Sequence, residues 1–169
     1  MALDRRFQEM PSVAQISGTS GDDTLTGTAP DDTIRAGAGN DVLVAAGNEA
    51  FVMRDGVMVY ANTVTIYDGG EGFDTLLIDR YLVGFDRLAS FASIESVFFE
   101  RLPADTLPTL RANLGLFSDT ARMLPSNLLL DGYGQLGIRL ADGDSFDASA
   151  YRFAAGSDVH LHFSTGSIG

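Results

Sequence analysis

The sequence predicts an all-β fold in which very short strands wind into a flattened coil. A nine-residue pattern of glycine, aspartate and one aliphatic residue recurs across residues 18–44, and it returns at residues 69–77. Short apolar runs bounded by glycine- and aspartate-containing turns then continue towards the end of the chain. Since two nonapeptides complete one turn of such a coil, residues two repeats apart are expected to stack on one another.

The composition is globular and strongly acidic. For 169 residues, 45% of them hydrophobic, a single compact domain is expected. The formal net charge of −12 argues against nucleic acid or an anionic membrane surface as a partner, and it favours cations. No apolar run is long enough to insert across a bilayer, and the lack of cysteine excludes disulfides and thiolate metal sites.

Residues 1–17 form a leader of mixed charge before the repeats begin. A loosely held terminus is the simpler interpretation, and a short amphipathic helix through Leu3, Phe7 and Met10 is the alternative. The leader lacks the apolar core of a secretory signal peptide, which on its own suggests a cytoplasmic protein.

The repeats of residues 18–44 read GTSGDDTLT, GTAPDDTIR and AGAGNDVLV. Each unit is interpreted as a glycine-permitted turn followed by a short strand with one inward aliphatic side chain. The aspartate at the junction is Asp23, Asp32 or Asp41. Stacking of alternate units places Asp23 over Asp41 at one edge of the coil, and it places Asp32 opposite Ala50 at the other edge.

The pattern is interrupted and then restored. Residues 45–53 keep only Val52 at the aliphatic position and have no aspartate, and an insertion is predicted at residues 54–67. Residues 69–77, GGEGFDTLL, carry the fullest form of the pattern, with Asp74 at the aspartate position. We therefore divide the chain into the leader, a repeat region at 18–79 and a degenerate continuation of the coil at 80–169.

The continuation is predicted from strand-like runs rather than from repeats. Strands are expected at residues 94–100, 127–131, 135–140 and 158–163, with turns at DGYG, ADGD and AAGS. Residues 82–93 fit either a short helix or a turn that leads into a strand. The last residues, STGSIG, enter a new nonapeptide without reaching its aspartate, so we expect a longer or truncated parent protein.

Units 18–26, 27–35, 36–44 and 69–77 resemble the hemolysin-type calcium-binding (RTX) repeat, G-G-x-G-x-D-x-U-x. The resemblance implies a right-handed parallel β-roll or β-helix that winds around calcium ions held between stacked turns. It also implies export from a bacterial cell by a type I secretion apparatus, which uses no N-terminal signal peptide. The expected location is therefore extracellular or at the cell surface.

Calcium takes about six to eight oxygen ligands, from carboxylates and from backbone carbonyls that glycine leaves unshielded. The best-supported site lies between turns 18–23 and 36–41. Turn 69–74 is expected to face either turn 36–41 or residues 45–50, and Asp32 forms a weaker site with carbonyls of residues 45–48. The predicted metal-site residues are Gly18, Ser20, Gly21, Asp23, Asp32, Gly37, Gly39, Asp41, Gly69, Gly70, Gly72 and Asp74.

Departures from the motif limit the number of good sites. Thr19 and Thr28 replace the second glycine, and Pro30 replaces the fourth in its unit, which fixes φ and removes an amide donor. We expect one good calcium position, a second one, and a third that is poor or empty. Since unneutralised aspartates repel one another, the predicted role is a structural module that folds on calcium binding.

Two other functions remain open, and both are weaker. A carbohydrate-active solenoid enzyme or sugar-binding accessory region is suggested by acidic clusters and by aromatic residues. The aromatic residues are Tyr133, Phe146, Tyr151 and Phe153. A surface adhesin segment is suggested only by the repetitive acidic character, and extracellular polysaccharide would be the partner of the sugar-binding alternative.

Other polar residues are given ordinary roles. No H-E-x-x-H, G-x-S-x-G or phosphate-loop motif occurs, and His160 and His162 are interpreted as exposed strand residues. Asp22 and Asp31 are expected to point to solvent. The cluster Asp142, Asp144 and Asp147 lacks the glutamate of an EF-hand, so a solvated turn is expected.

Overall fold

The computed structural model describes residues 14–27, 32–45, 51–54, 57–60, 66–84, 90–113, 127–140, 145–149 and 151–165. Those ranges contain fifteen strands and a 3₁₀ turn at Pro103–Asp105, but no α-helix, and hence no helix that could cross a membrane. The predicted leader helix and the nonapeptide begun at Gly166 fall outside the described ranges, as do Asp31, Asp142 and Asp144.

The strands are short, as the nonapeptide pattern predicts. They are β1 Gln15–Ser17, β2 Thr24–Thr26, β3 Thr33–Ala38, β4 Val42–Val44, β5 Phe51–Arg54, β6 Val57–Tyr60, β7 Ile66–Glu71, β8 Thr75–Ile78, β9 Leu82–Gly84, β10 Ser90–Ala92, β11 Ser96–Phe99, β12 Thr109–Asn113, β13 Leu129–Leu140, β14 Arg152–Phe153 and β15 Asp158–Thr165.

From β1 to β8, apart from the β5–β6 hairpin, successive strands alternate between two parallel sheets. One sheet has the order β1-β3-β7-β10, and the other runs β2-β4-β8-β11-β13-β12-β9, with β14 and β15 also paired to β13. The one antiparallel pair among the described strands is the β5–β6 hairpin. The predicted all-β parallel fold is confirmed, and the chain is a β-roll.

Strand register shows how the coils stack. β1 pairs with β3 and β2 pairs with β4 at a spacing of 18 residues, as two nonapeptides require. The next coil is 33 residues further along, because the β5–β6 hairpin lies between β4 and β7. β7 and β8 therefore stack directly on β3 and β4, and the hairpin leaves the coil without disturbing its register.

The core lies between the two sheets and follows the aliphatic position of the repeat. β8 alternates half-buried and buried residues, which is typical of a strand with one face on a core. One apolar cluster draws residues from both sheets. Its members at the aliphatic position and equivalent positions are Ile34, Leu43, Leu76, Val97 and Leu130, all 0% exposed.

The continuation contains one correction. Residues 127–131 and 135–140 were predicted as two strands separated by a DGYG turn, but β13 is one strand of 12 residues. Gly132 takes φ 91°, so the strand passes through the glycines and joins the pairing with β11 to the pairing with β15. Of residues 82–93, the described parts are the strands β9 and β10, not a helix.

Candidate metal centre

Four turns stack at one edge of the β-roll. We define turn A as residues 18–23, turn B as 36–41, turn C as 69–74 and turn D as 93–95. The pairing of Gly37 with Gly70 places turn C directly on turn B. The pairing of Thr75 with Ser96 then places turn D on turn C. The partner of turn 69–74, open from the sequence, is therefore turn 36–41.

A ladder of carboxylates joins these turns. The Asp23 amide donates to Asp41 Oδ1 at 2.7 Å, and the Asp41 amide donates to Asp74 Oδ1 at 2.8 Å. The Asp74 amide donates to Glu95 Oε2 at 2.8 Å. Each carboxylate thus accepts from the amide of the equivalent residue in the preceding coil, which fixes the aspartates in register.

The second oxygen of two ladder carboxylates has no partner. Asp41 is 1% exposed and Asp74 is 0% exposed, yet Oδ2 of each accepts no hydrogen bond within the described part of the chain. Asp23 differs, because its Oδ2 accepts from the Thr19 amide at 2.6 Å and from the Thr19 hydroxyl at 2.8 Å. A buried, unpaired carboxylate oxygen is costly and needs an explanation, such as a cation.

Glycines bring backbone carbonyls close to the ladder. Gly37 and Gly70 have φ 111° and 98°, a region that side chains disfavour. A methyl group on Gly70 would collide with the Gly37 carbonyl oxygen, and one on Gly37 would collide with the Thr19 carbonyl oxygen. Gly39 and Gly72 have φ 122° and 138° and likewise lie against carbonyl groups of the turn before. The turns therefore present columns of carbonyl oxygens that larger residues would block.

The surroundings of Asp74 disfavour the negatively charged form of its carboxyl group. Burial raises the pKa of Asp74, and the nearby carboxylates of Asp41, Glu95 and Asp68 raise it further. The hydrogen bond from the Asp41 amide opposes that shift. A cation between the turns would remove the repulsion that these groups exert on one another.

This arrangement fits a hard cation that takes much of its coordination from the backbone. No group of three or more Asp, Glu, His or Cys side chains converges on one point in the described ranges, so carboxylates alone do not form a cage. Carbonyl oxygens and two carboxylates are the ligand type that Ca²⁺ accepts. Zn²⁺ prefers nitrogen and sulfur, which this edge of the β-roll does not supply.

A family model for the RTX calcium-binding nonapeptide repeat matches residues 17–48, in four copies. Residues 17–48 are thus similar to RTX calcium-binding repeats. This confirms the predicted family resemblance and calcium as the cofactor of these repeats, which are structural calcium-binding units. No curated protein and no solved structure is significantly similar to the chain. The RTX match includes turns A and B, whereas turn C lies beyond it and joins them through strand register.

The second edge of the RTX coil differs from the prediction. β3 begins to pair with β7 at Thr33 and Ile66, and the Ile66 amide donates to the Asp32 carbonyl oxygen at 3.4 Å. The coil therefore continues from Asp32 onto β7, and Ala50, on which Asp32 was predicted to stack, lies outside the described residues. The buried Asp32 carboxylate accepts from the Ala14 amide at 2.9 Å, at the opposite end of the strand from turns A to D.

Two polar groups in turns A to D have roles that the sequence did not reveal. Glu95 occupies the aspartate position of turn D, although FASIESV has neither the glycines nor the aspartate of a repeat. Asp22 was expected to point to solvent. It is exposed but accepts from the Asn40 amide at 2.7 Å, and Asn40 Oδ1 accepts from the Phe73 amide at 2.9 Å. Ser20 and Gly21 of turn A are exposed.

The remaining candidates lie away from the RTX turns. Asp147 is exposed and accepts from the Ser149 amide at 2.9 Å, and hydrogen bonds from Ser149 lower its pKa. His160 and His162 are exposed, as predicted, and His160 lies 3.0 Å from Asp158.

The aromatic residues proposed to bind sugar are split between two places. The Phe146 ring packs against Tyr151 at 5.7 Å between centroids, with an interplanar angle of 34°. Tyr133 lies instead beneath the Arg101 guanidinium, at 4.7 Å. Phe153 is 46% exposed.

Proposed function

We propose that the chain is a structural module that binds calcium between turns A and B and between turns B and C, and that this binding orders its N-terminal coils. The observation that carries the proposal is the buried, unpaired Oδ2 of Asp41. The ladder holds Asp41 through its Oδ1 and its amide, between turns A and C, so this second oxygen is fixed in place for an ion.

The ligands in each gap come from this chain's own turns. Between turns A and B they are the Asp41 and Asp23 carboxylates, with the carbonyls of Thr19 and Gly21 lying against the glycines of turn B. Between turns B and C they are the Asp74 and Asp41 carboxylates, with the carbonyls of Gly37 and Gly39. The bound ion supplies positive charge between carboxylate and carbonyl oxygens that would otherwise repel one another.

Binding is coupled to folding because the ligands of each site come from different coils. The gaps exist only when β2, β4 and β8 are paired, so calcium stabilises the folded state over the unfolded chain. A net charge of −12 opposes compaction until cations bind. The coils from turn A to turn C are then the calcium-dependent part, and residues 80–169 continue the β-roll on an apolar core.

This mechanism suits a protein that folds outside the cell. Sites built partly from carbonyls on glycine-rich turns respond to calcium at extracellular, roughly millimolar concentrations. The lack of cysteine and the RTX repeats are both compatible with type I secretion from a bacterium. We propose an extracellular or cell-surface location for the parent protein on that basis.

Calcium titration of the full chain by isothermal calorimetry tests the proposal, with Asp41→Ala compared against Asp147→Ala. Asp41 contributes to both gaps, so its loss is expected to abolish or weaken both binding events, while the exposed Asp147 leaves them unchanged. Unchanged stoichiometry and affinity in Asp41→Ala would refute the assignment.

Circular dichroism tests the coupling to folding. Strand content is expected to be lower in chelator than in millimolar calcium, with the loss confined to the coils that carry turns A to C. Identical spectra in the two conditions would show that calcium does not order the chain.

A further inference from the structure

Turn D repeats the contacts of turn B, although its sequence does not match the RTX motif. Turn D consists only of Ser93, Ile94 and Glu95, where turn C has residues 69–74. Glutamate has one more methylene than aspartate, and the Glu95 carboxylate still accepts from the Asp74 amide at 2.8 Å.

The gap between turns C and D shares one arrangement of a carbonyl and a carboxylate oxygen with the gap between turns A and B. In the gap between A and B, a methyl group on Gly18 would meet the Ala36 carbonyl oxygen and would lie 2.9 Å from Asp23 Oδ2. In the gap between C and D, a methyl group on Gly69 would meet the Ser93 carbonyl oxygen and Asp74 Oδ2.

The backbone at Ser93 differs from that of the equivalent residues in turns B and C. Ser93 has φ 51°, in the left-handed region, whereas neither Ala36 nor Gly69 has a positive φ. Its carbonyl oxygen nevertheless meets a methyl group built on Gly69, as the Ala36 carbonyl oxygen meets one built on Gly18. Turn D therefore keeps the carbonyl oxygen directly after strand β10, although it lacks the glycines and the aspartate of the RTX motif.

A cation would stabilise the gap between turns C and D more than the gap between turns A and B. Asp23 is half-exposed, and its Oδ2 is satisfied by Thr19. Asp74 is 0% exposed, and within the described residues its Oδ2 has no hydrogen-bond partner on the side of Gly69 and Ser93. Glu95 is half-buried, so the gap remains reachable from solvent.

We propose that the gap between turns C and D is a further calcium site, in which Asp74 Oδ2, the Ser93 carbonyl oxygen and the Glu95 carboxylate supply ligands. This site rests on the proposed function for the identity of its ion. It is also the last of the array, because the residue that stacks on Glu95 is the buried, apolar Leu128. Glu95 is therefore the last acidic residue of the stacked turns, and an apolar residue occupies the same position in the next coil.

The test counts calcium ions bound per chain by equilibrium dialysis, for the full-length wild type, Glu95→Gln and Glu95→Asp. Gln keeps an oxygen that accepts from the Asp74 amide but removes the charge, and Asp keeps the charge but shortens the reach. Each variant is expected to bind one ion fewer than the wild type at a calcium concentration that just saturates the wild type. Glu100→Gln, at an exposed position beyond β11, is the matched control and should bind the full number.

The outcomes separate this site from the proposed function. If the wild type binds no calcium, both proposals fail. If the wild type binds calcium and either Glu95 variant, shown to be folded by its circular dichroism, keeps the full number of ions, this site alone is overturned.

Discussion

Substituting Asp74 by Asn is expected to have opposite effects on stability with and without calcium. Asparagine has the same shape, and its oxygen still accepts from the Asp41 amide. Its amide nitrogen takes the place of the buried, unpaired Oδ2 on the side of the Ser93 carbonyl oxygen, and we expect it to donate a hydrogen bond to that oxygen. The change therefore removes an unpaired acceptor from the metal-free fold and a charged ligand from the calcium-bound fold.

The magnitudes follow from these two roles. A buried polar group without a partner costs about 1–3 kcal/mol, so the metal-free variant gains roughly that much stability. For a chain of this size each kcal/mol corresponds to about 2–4 °C in Tm, which gives a rise of about 2–12 °C in chelator. In calcium at about 100 times Kd, each bound ion contributes about 2.7 kcal/mol to the wild type, and the variant loses at least one such contribution.

The assay is thermal unfolding by circular dichroism in EDTA and in excess calcium. The variant should melt above the wild type in EDTA, and its Tm should increase less on adding calcium. Asp147→Asn is the control, since Asp147 is exposed and accepts a hydrogen bond from Ser149 in its own turn, and it should leave the calcium-induced shift unchanged. A variant that melts below the wild type in EDTA, or that keeps the full calcium shift, would refute the reasoning.

Three other predictions concern the turns and the core. Gly70→Ala should lower stability and calcium affinity by much more than Gly156→Ala, as measured by unfolding and calorimetry. Both glycines have positive φ, with a cost of about 1–2 kcal/mol for a side chain, but only Gly70 lies against a carbonyl of the preceding coil. The metal-free protein should be more stable near pH 4 than at pH 7, because the folded state raises the pKa of Asp74 and that contribution is lost as the pH rises through the raised pKa. In calcium this pH dependence should reverse, which denaturant titrations at both pH values would show. Leu76→Ala should cost about 2–5 kcal/mol, while the half-buried neighbour Leu77→Ala costs less, and equal losses would show that the core does not lie between the sheets.

The repeat period determined most of what could be predicted. A fixed spacing of glycine, aspartate and aliphatic residue specifies which residues stack, so the stacking of Asp23 and Asp41 and the burial of Leu43 followed from the sequence. In these units the turn residues and the inward-facing aliphatic residues indicate the same structure, and a fold can be predicted from sequence where such signals agree.

The segment that stacks beside Asp32 could not be predicted, because the sequence of the insertion does not show at which residue the next coil begins. Register is set by pairing partners that are distant in sequence, and the coil resumes on β7, not at residue 50. The DGYG segment was misread for a related reason. Gly132 is compatible with both a turn and a bent strand, and only the neighbouring strands β11 and β15 decide between them.

Glu95 was missed because no sequence pattern marks it. Its position is defined by the register of β8 and β11, and its carboxylate accepts from the Asp74 amide although the turn is shorter than a repeat. A search for acidic residues directly before a strand that aligns with a repeat would have found it.

The direction of the carboxylate ladder sets an order of opening. Each ladder carboxylate holds the amide of the coil before it, whereas the exposed side chains of Asp22 and Asn40 hold amides of the coil after them. Among the buried contacts, every coil is therefore held from its C-terminal side. Fraying therefore starts at turn A, where Asp23 is half-exposed, and proceeds inwards. In hydrogen exchange, the amide of Asp23 should exchange first, that of Asp41 later and that of Asp74 last. Folding then follows the reverse order. The apolar C-terminal coils form first, and each calcium-binding coil pairs with the coil that follows it in the sequence.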